Sequence, residues 1–303
     1  MTILVGCSGW SYDDWVGKFY PLSLAKKMGE WFSYYAGYFQ TVEINSTFYR
    51  PPGEMLVQSW IKKATGLKGF EYSVKVPQLV THRALVDGDL ERADFWAASF
   101  EKTCIRPLAD AGLLGGVLLQ LSPYFKNDAS ALAALKGLLD SISCKEYDYA
   151  VEFRHRSWLV ESGKMIDPEA LEALRERNVA SVMIDGPGTH ADREQTADHA
   201  YVRFHGRNYD IWYRGEDRGG DRGEKEDDHR LNRYDYLYKK EQLETWVPRI
   251  KAAELKAAKV RVYFNNHARS KAVRNAFMLM DMLSIEHKSK EIPLQDQFTL
   301  GEF

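Results

Sequence analysis

The chain has 303 residues, a common size for a single α/β barrel built around one large core. Its 41 Lys and Arg nearly balance its 43 Asp and Glu, and the formal net charge of -2 argues against a general nucleic-acid-binding protein while allowing a local basic patch. No apolar run reaches the roughly twenty residues that a membrane span needs, so no membrane association is expected.

The cysteines and the first residues of the chain indicate the cellular compartment in which the protein is expected. The three cysteines are widely spaced and odd in number, so they match neither a metal site nor a disulfide framework. Residues 1–5 lack the basic segment of a signal peptide and run directly into a strand-like segment. A cytoplasmic protein is therefore expected.

Short apolar segments alternate with helical segments along the whole chain. Strands are predicted at residues 3–7, 41–45, 70–76, 115–121, the start of 147–158, 179–184, 199–204 and 260–264. Helices are predicted at 28–39, 55–65, 90–111, 129–141, 168–177, 243–258 and 270–283. This alternation predicts a (β/α)8 TIM barrel, with residues 1–303 forming a single domain.

A doubly wound sheet is the competing α/β architecture, but no Gly-rich phosphate fingerprint follows the first strand. Residues 79–87 are predicted to form a loop. The stretch at about 214–232 is rich in glycine and in charge of both signs, which predicts a loop insertion after the seventh strand. That insertion is either a lid over a site or a solvated segment.

The most informative stretch is 147–158, which begins as a strand and ends in several charged residues. Side chains alternate between the two faces of a strand, so Glu152 and Arg154 lie opposite Val151 and Phe153. Burying an acid and a base is costly unless they pair or meet a ligand. The stretch therefore indicates either a pocket at the end of this strand or a structural ion pair.

Polar residues recur at the predicted carboxyl ends of the other strands, where barrel enzymes have their active sites. Such a concentration on one rim predicts a ligand site. The predicted ligand-binding residues are Trp10, Asn45, Tyr49, Lys75, Gln120, Arg154, Trp158, Arg203, Asn208, Asn265 and Asn266.

The charge types at this rim indicate the chemistry. Lys75, Arg154 and Arg203 are suited to an anionic or phosphorylated ligand, because arginine binds carboxylate and phosphate in a bidentate manner. Rim aromatics would stack on flat ligand faces. The predicted catalytic acids and bases are Glu43, Glu152, His205 and Asp185. The alternative is that the glutamates and the cations only neutralise one another.

Metal binding is not predicted. The histidines are scattered, no HExxH or paired His/Asp spacing occurs, and cations at the strand ends are unfavourable for a multinuclear zinc site. No cofactor is predicted either.

Several motifs in order along nearly the whole chain resemble the DUF72 (YecE-like) family. They include residues 6–12, 42–49, 151–158, 201–208 and 263–267. The resemblance implies a TIM barrel, but no settled activity, since the family is named for its unknown function. The family's barrel is similar in architecture to the metal-dependent endonuclease IV and xylose isomerase group, and the cationic strand ends here depart from that pattern.

The sequence therefore favours an enzyme that acts on a phosphorylated or otherwise anionic small molecule. One alternative is a non-catalytic protein that binds nucleic acid or nucleotides through its aromatic and cationic rim. Another is a metal-dependent phosphodiesterase related to the endonuclease IV-like barrels.

Overall fold

Parallel strands form the centre of the computed structural model, which describes residues 2–161, 165–186, 194–208 and 234–293. The strands of the main sheet are β1 Thr2–Ser8, β2 Thr41–Ile44, β3 Glu71–Lys75, β4 Leu114–Gln120, β5 Tyr149–Glu152, β8 Ala180–Ser181, β9 Met183–Asp185, β10 His199–Phe204 and β11 Lys259–Phe264. These nine strands have the order β8-β5-β4-β3-β2-β1-β11-β10-β9. Every pair of neighbouring strands is parallel.

The two ends of this order meet in one piece of chain. Strands β8 and β9 are separated only by Val182, whose N–H donates to the carbonyl of Val151 at 3.0 Å. They act as the two halves of the sixth barrel strand, and the sheet closes around eight strand positions. The predicted TIM barrel is confirmed. The insertion predicted at 214–232 lies outside the described residues.

Helices follow most strands and cover the outer face of the barrel. They are α1 Met28–Ala36, α2 Ser46–Tyr49, α3 Glu54–Ala64, α4 Leu90–Phe100, α5 Arg106–Asp110, α6 Ala129–Ser141, α7 Pro168–Arg175, α8 Lys240–Glu244, α9 Val247–Glu254 and α10 Lys271–Met282. Their starts follow local sequence: Asp128 caps α6 by accepting from the N–H of Ala131 at 2.8 Å, and Asp167 caps α7 ahead of Pro168. No helix within the described ranges is both long and apolar enough to cross a membrane.

Three local predictions were wrong. The segment at 79–87 contains the π-helical turn Leu79–Ala84 rather than a loop, because Val80 and Ala84 are buried in the core. The helix predicted at 90–111 is interrupted by the π-helical segment Glu101–Ile105, and the one at 243–258 is split into α8 and α9. A short antiparallel hairpin, β6 Leu159–Val160 with β7 Met165–Ile166, was not predicted.

Two polar layers enclose an apolar layer inside the barrel. The apolar layer includes Leu118, Ala150, Val182, Tyr201 and Tyr263. At the amino-terminal end the side chains of Arg261 and Glu71 form a buried ion pair at 2.5 Å, and Arg261 also contacts Asp148 at 2.7 Å. The other polar layer, at the carboxyl end, contains most of the residues predicted for the site.

Close packing inside the barrel gives the first prediction. A Cβ on Gly116 would lie 2.7 Å from Cε2 of the buried Tyr201 ring, so we expect Gly116→Ala to lower the free energy of unfolding by about 1–3 kcal/mol through overpacking. Urea unfolding followed by circular dichroism measures it. Gly29→Ala is the control, because a Cβ at Gly29 in α1 meets nothing within 4 Å. Equal stability of the two variants would contradict the packing argument.

Candidate functional site

A cavity of about 970 Å³ opens at the carboxyl ends of the barrel strands. Because the strands are parallel, their inward-facing terminal side chains meet there. Eight of the eleven predicted ligand-binding residues line this cavity: Trp10, Asn45, Tyr49, Lys75, Gln120, Arg154, Arg203 and Asn265. Of the predicted catalytic residues, His205 lines it as well.

The floor of the cavity is an ion network centred on Arg203, whose side chain is 1% exposed. Its Nη2 lies 2.7 Å from Oε1 of Glu43, and its Nη1 lies 2.5 Å from Oε2 of Glu152. Nη1 also donates to Oε1 of Gln120 at 3.1 Å. Strands β2, β4, β5 and β10 are therefore joined through one guanidinium group.

Both glutamates are fully occupied by donors. Burial alone would raise the pKa of Glu43, but Arg203 and hydrogen bonds from Ser8 at 2.6 Å and Tyr201 at 2.7 Å hold it below the ordinary value. For Glu152, burial is likewise outweighed by Arg203 and other neighbours, and its pKa is held well below the ordinary value. These carboxylates remain ionised near neutral pH, and their bonded oxygens make them poor general bases.

Arg154 and His205 complete the surroundings of Glu152. Nη1 of Arg154 lies 2.9 Å from Oε1 of this carboxylate, and Nε2 of His205 lies 3.3 Å from the same oxygen. Burial, reinforced by Arg203 and opposed by Glu152, lowers the pKa of His205 to about 4. Nδ1 of His205 lies 3.1 Å from the side-chain amide nitrogen of Asn265. This histidine is therefore neutral near pH 7.

Lys75 is a buried cation of the wall that forms no ion pair with the glutamates of the floor. Its Nζ donates to Oε1 of Gln120 at 3.1 Å and lies 3.8 Å from the centroid of the Phe48 ring. In the described part of the chain no carboxylate forms an ion pair with it. Burial and repulsion from Arg203 lower the pKa of Lys75 to about 7, although Glu152 attracts its proton. A lysine in this state exchanges a proton at neutral pH.

Four predicted site residues lie outside the cavity. Ile184 belongs to the interior apolar cluster, so its neighbour Asp185 points outward, where it accepts from Arg207 at 2.8 and 2.6 Å and from Trp246 at 2.6 Å. A catalytic role for Asp185 is therefore not supported, since its carboxylate joins the barrel to the outer helices.

The other three are held by structural contacts. The Trp158 indole is fully buried and donates to the carbonyl of Phe125 at 2.8 Å. Asn266 follows the inward-facing Asn265 and donates to the carbonyl of Tyr236 at 2.7 Å. The Asn208 amide donates to a backbone carbonyl at 3.2 Å. None of the three lines the cavity.

Sequence reasoning missed several residues of the cavity wall that come from loops after the strands. His267 stacks on Tyr12 with ring centroids 4.3 Å apart and faces Tyr234 at 5.0 Å. Other missed wall residues are Gln78, His82, Tyr124, His155 and Arg156. His155 and Arg156 belong to the charged stretch at 147–158 and could have been identified from it.

The wall of the cavity is electropositive. Among the described residues that line it, four are lysine or arginine and none is aspartate or glutamate. The cations are Lys75, Arg154, Arg156 and Arg203. The two glutamates of the floor offset only part of this charge, so the wall is suited to an anion.

One group of side chains in the described residues has the spacing of metal ligands, and it lies away from this cavity. It comprises Asp148, Asp198 and His199, at the amino-terminal ends of β5 and β10. Asp148 already pairs with Arg261 at 2.7 Å, and His199 lies 2.9 Å from the carbonyl of Tyr149. These contacts account for the group without an ion.

The floor network gives a prediction for stability. We expect Arg203→Met to lower the free energy of unfolding by about 3–5 kcal/mol, because two buried carboxylates lose their shared cation. Arg175→Met is the control: Arg175 forms an exposed pair with Glu172, which contributes about 0–1 kcal/mol. Chemical denaturation measures both variants. A loss as small as that of the control would show that the network does not stabilise the barrel.

The lowered pKa of Lys75 gives a prediction for pH dependence. Between about 7 and its ordinary value of 10.5, the folded chain binds fewer protons at this site than the unfolded chain. Stability rises with pH wherever the unfolded state binds more protons, so this site destabilises the fold below about pH 7 and ceases to do so as the pH rises through 10.5. We expect Lys75→Met to remove this rise, as measured by urea unfolding across the range. The exposed Lys62→Met is the control, and an unchanged pH slope in Lys75→Met would contradict the assignment.

Comparison with known proteins agrees with the fold. The family described as "Protein of unknown function DUF72" matches residues 4–297. The UPF0759 protein YecE of Escherichia coli is 30% identical over 191 residues, which are 63% of this chain and 62% of that protein, so the match spans less than two thirds of the relative's length.

Two solved structures cover nearly the whole chain. A DUF72 family protein from Thermotoga maritima has a TM-score of 0.74 and 30% identity, covering 94% of this chain and 100% of its own. A DUF72 family protein from Enterococcus faecalis has a TM-score of 0.71 and 21% identity, covering 97% and 99%, which shows the shared fold. With a family match over almost its full length, this chain belongs to the DUF72 family.

Proposed function

We propose that this protein is an enzyme that acts on a small anionic molecule, phosphorylated or carboxylated, bound in the cavity at the carboxyl end of the barrel. The observation that carries the proposal is the wall with four cationic side chains and, among its described residues, no carboxylate. Arginine and lysine donors in a partly enclosed cavity bind carboxylate and phosphate oxygens more strongly than they do in bulk water.

The proposed roles follow from the contacts. Arg154 and Arg156 would bind the anion, and Arg203, held by its two glutamates, would supply a fixed positive charge beneath it. Glu43 and Glu152 then orient the guanidinium groups instead of moving protons. Lys75 is the proton carrier in this arrangement, because an effective acid or base has a pKa near the working pH.

Tyrosines at the mouth of the cavity support a ligand with a flat face. Tyr49 is 68% exposed and Tyr124 is 70% exposed, although both line the cavity. Aromatic rings at such positions stack on bases and sugars. This observation favours a nucleotide among the anionic ligands, and it also keeps non-catalytic binding of a nucleotide or nucleic acid as the second candidate.

Binding measurements test the proposal. We expect inorganic phosphate, ribose phosphate or AMP to raise the melting temperature by mass action, and Arg154→Gln to weaken binding about ten- to a hundredfold, because a hydrogen bond to a charged group contributes about 1.5–3 kcal/mol. Isothermal titration calorimetry measures the affinities.

The control is Arg175→Gln, which removes an exposed cation from α7 and should leave the affinity unchanged. Absence of binding by every anion, or equal affinities in the two variants, would exclude the proposed site. Binding of oligonucleotides alone, with an affinity that falls steeply in salt, would favour the nucleic-acid-binding candidate.

A further inference from the structure

We infer that Lys75 is a nucleophile that forms an imine with the carbonyl carbon of an anionic aldehyde or ketone, an inference that rests on the proposed anion-binding function. The substrate class would be 2-oxo acids or sugar-type carbonyl phosphates. In both, an anionic group lies within a few bonds of a carbonyl.

The position of Lys75 is fixed at both ends. It is the last residue of β3, and its carbonyl accepts from the Thr47 hydroxyl at 2.6 Å. At the other end Nζ is held between Oε1 of Gln120 at 3.1 Å and the face of Phe48 at 3.8 Å. The amine therefore enters the cavity in one orientation, with one polar contact and an apolar surface behind it.

Burial and the neighbouring arginines favour the neutral amine of Lys75, although Glu152 and Glu43 oppose this effect. The carboxylates that would otherwise pair with Lys75 are occupied, since Arg203 bridges Glu43 and Glu152 and Arg154 contacts the latter. Lys75 itself forms no ion pair with any residue in the described ranges, and its pKa falls to about 7. A large fraction of Nζ then carries a free electron pair at neutral pH, as an attacking amine requires.

Other groups near the cavity are poorly suited to share a proton-transfer reaction with Lys75. Burial is the main cause that lowers the pKa of His82, His205 and His267 to about 4 each. Glu43 and Glu152 remain ionised. Acid–base catalysis commonly needs an acid and a base, whereas a single lysine can activate a carbonyl substrate alone by forming a covalent imine.

The proposed step balances without a further reactant. The ammonium form of Lys75 first releases one proton to water. The neutral Nζ then attacks the carbonyl carbon, a C–N bond forms as the C=O π bond breaks, and a nitrogen proton moves to the oxygen to give a carbinolamine. The oxygen takes up one proton from water, equal to the one first released, the C–O bond breaks, water leaves, and a protonated C=N bond remains. The net change is ammonium plus carbonyl to iminium plus water, so charge is conserved and nothing is oxidised.

The arginines specify the anionic part of the substrate. Nη1 of Arg203 and Nζ of Lys75 donate to the same oxygen of Gln120, each at 3.1 Å. A carbonyl that reaches Nζ therefore lies beside a cationic surface that can hold a neighbouring carboxylate or phosphate. Neutral aldehydes lack this second contact and should react more slowly.

Reductive trapping tests the inference. Wild-type protein is incubated with pyruvate or with dihydroxyacetone phosphate, reduced with sodium borohydride, and analysed by intact mass and peptide mapping. We expect one adduct per chain, at Lys75, with at least one of these two probes, and the responding probe distinguishes carboxylate from phosphate recognition. Lys75→Arg should abolish the adduct while keeping the positive charge.

Lys62→Arg, which alters an exposed lysine of α3, is the matched control and should leave the adduct unchanged. Arg154→Gln should lower the yield about tenfold by weakening the charge-assisted contact to the anion. Adducts spread over exposed lysines, with Lys75 unmodified, would overturn the inference, and so would the absence of any adduct.

Two non-carbonyl analogues separate this inference from the proposed function. Lactate and glycerol phosphate match the probes in charge but cannot form an imine. If one of them binds in an Arg154-dependent manner and no carbonyl probe modifies Lys75, the anion site stands and the imine is excluded. If Lys75 is trapped equally well in Arg154→Gln, the nucleophile is supported and the anion-binding function fails. If the analogues do not bind and no adduct forms, both are excluded.

Discussion

The interior of the barrel depends on one guanidinium group held between two carboxylates. Arg203 contacts Glu43 at 2.7 Å and Glu152 at 2.5 Å, and all three side chains are buried. Desolvating such ions is costly, and the cost is offset only when every donor and acceptor is well placed. Hydrogen bonds from Ser8 and Tyr201 supply the remaining contacts of Glu43. An apolar layer at the same level of the barrel would avoid this desolvation cost, so stability alone does not explain the network. Its main consequence is the distribution of charge that it produces in the cavity above it.

At the amino-terminal end of the barrel, similar charged residues form ion pairs that have a purely structural explanation. Arg261 pairs with Glu71 and with Asp148, and Lys259 adds a second contact to Glu71 at 2.7 Å. There the cations and carboxylates neutralise one another beneath the apolar layer. At the carboxyl end Lys75 remains outside the ion pairs and faces a large cavity. The two ends therefore contain similar residues but differ in how their charges are paired, and this difference is the reason for proposing the ligand site at the carboxyl end.

Strand periodicity was enough to predict the barrel and its inward-facing charges, because Glu43, Lys75 and Arg203 each alternate with apolar neighbours. It failed at Asp185, since the inward positions of the sixth strand end one residue earlier and the last residue faces the helices. Loop residues such as His267 were missed because their place depends on tertiary packing rather than on a repeat. Which carboxylate pairs with which arginine also cannot be read from one sequence. The ion pairs that occupy Glu152, and the position of Lys75 outside them, could therefore be identified only in the structure.

The same electrostatics limit where a substrate anion can sit. An anion in direct contact with Nζ would stabilise the ammonium form and raise the pKa of Lys75, which would remove the neutral amine that the imine step needs. The anion must therefore be held by the arginines, whose charge does not change with pH, with the carbonyl rather than the anion directed at Nζ. Gln120 suits this arrangement, because its neutral amide oxygen orients both Arg203 and Lys75 without adding a negative charge. The proposed division between permanent cations that bind the anion and one titrating amine that reacts follows from the ion pairs that Glu43 and Glu152 form with the arginines.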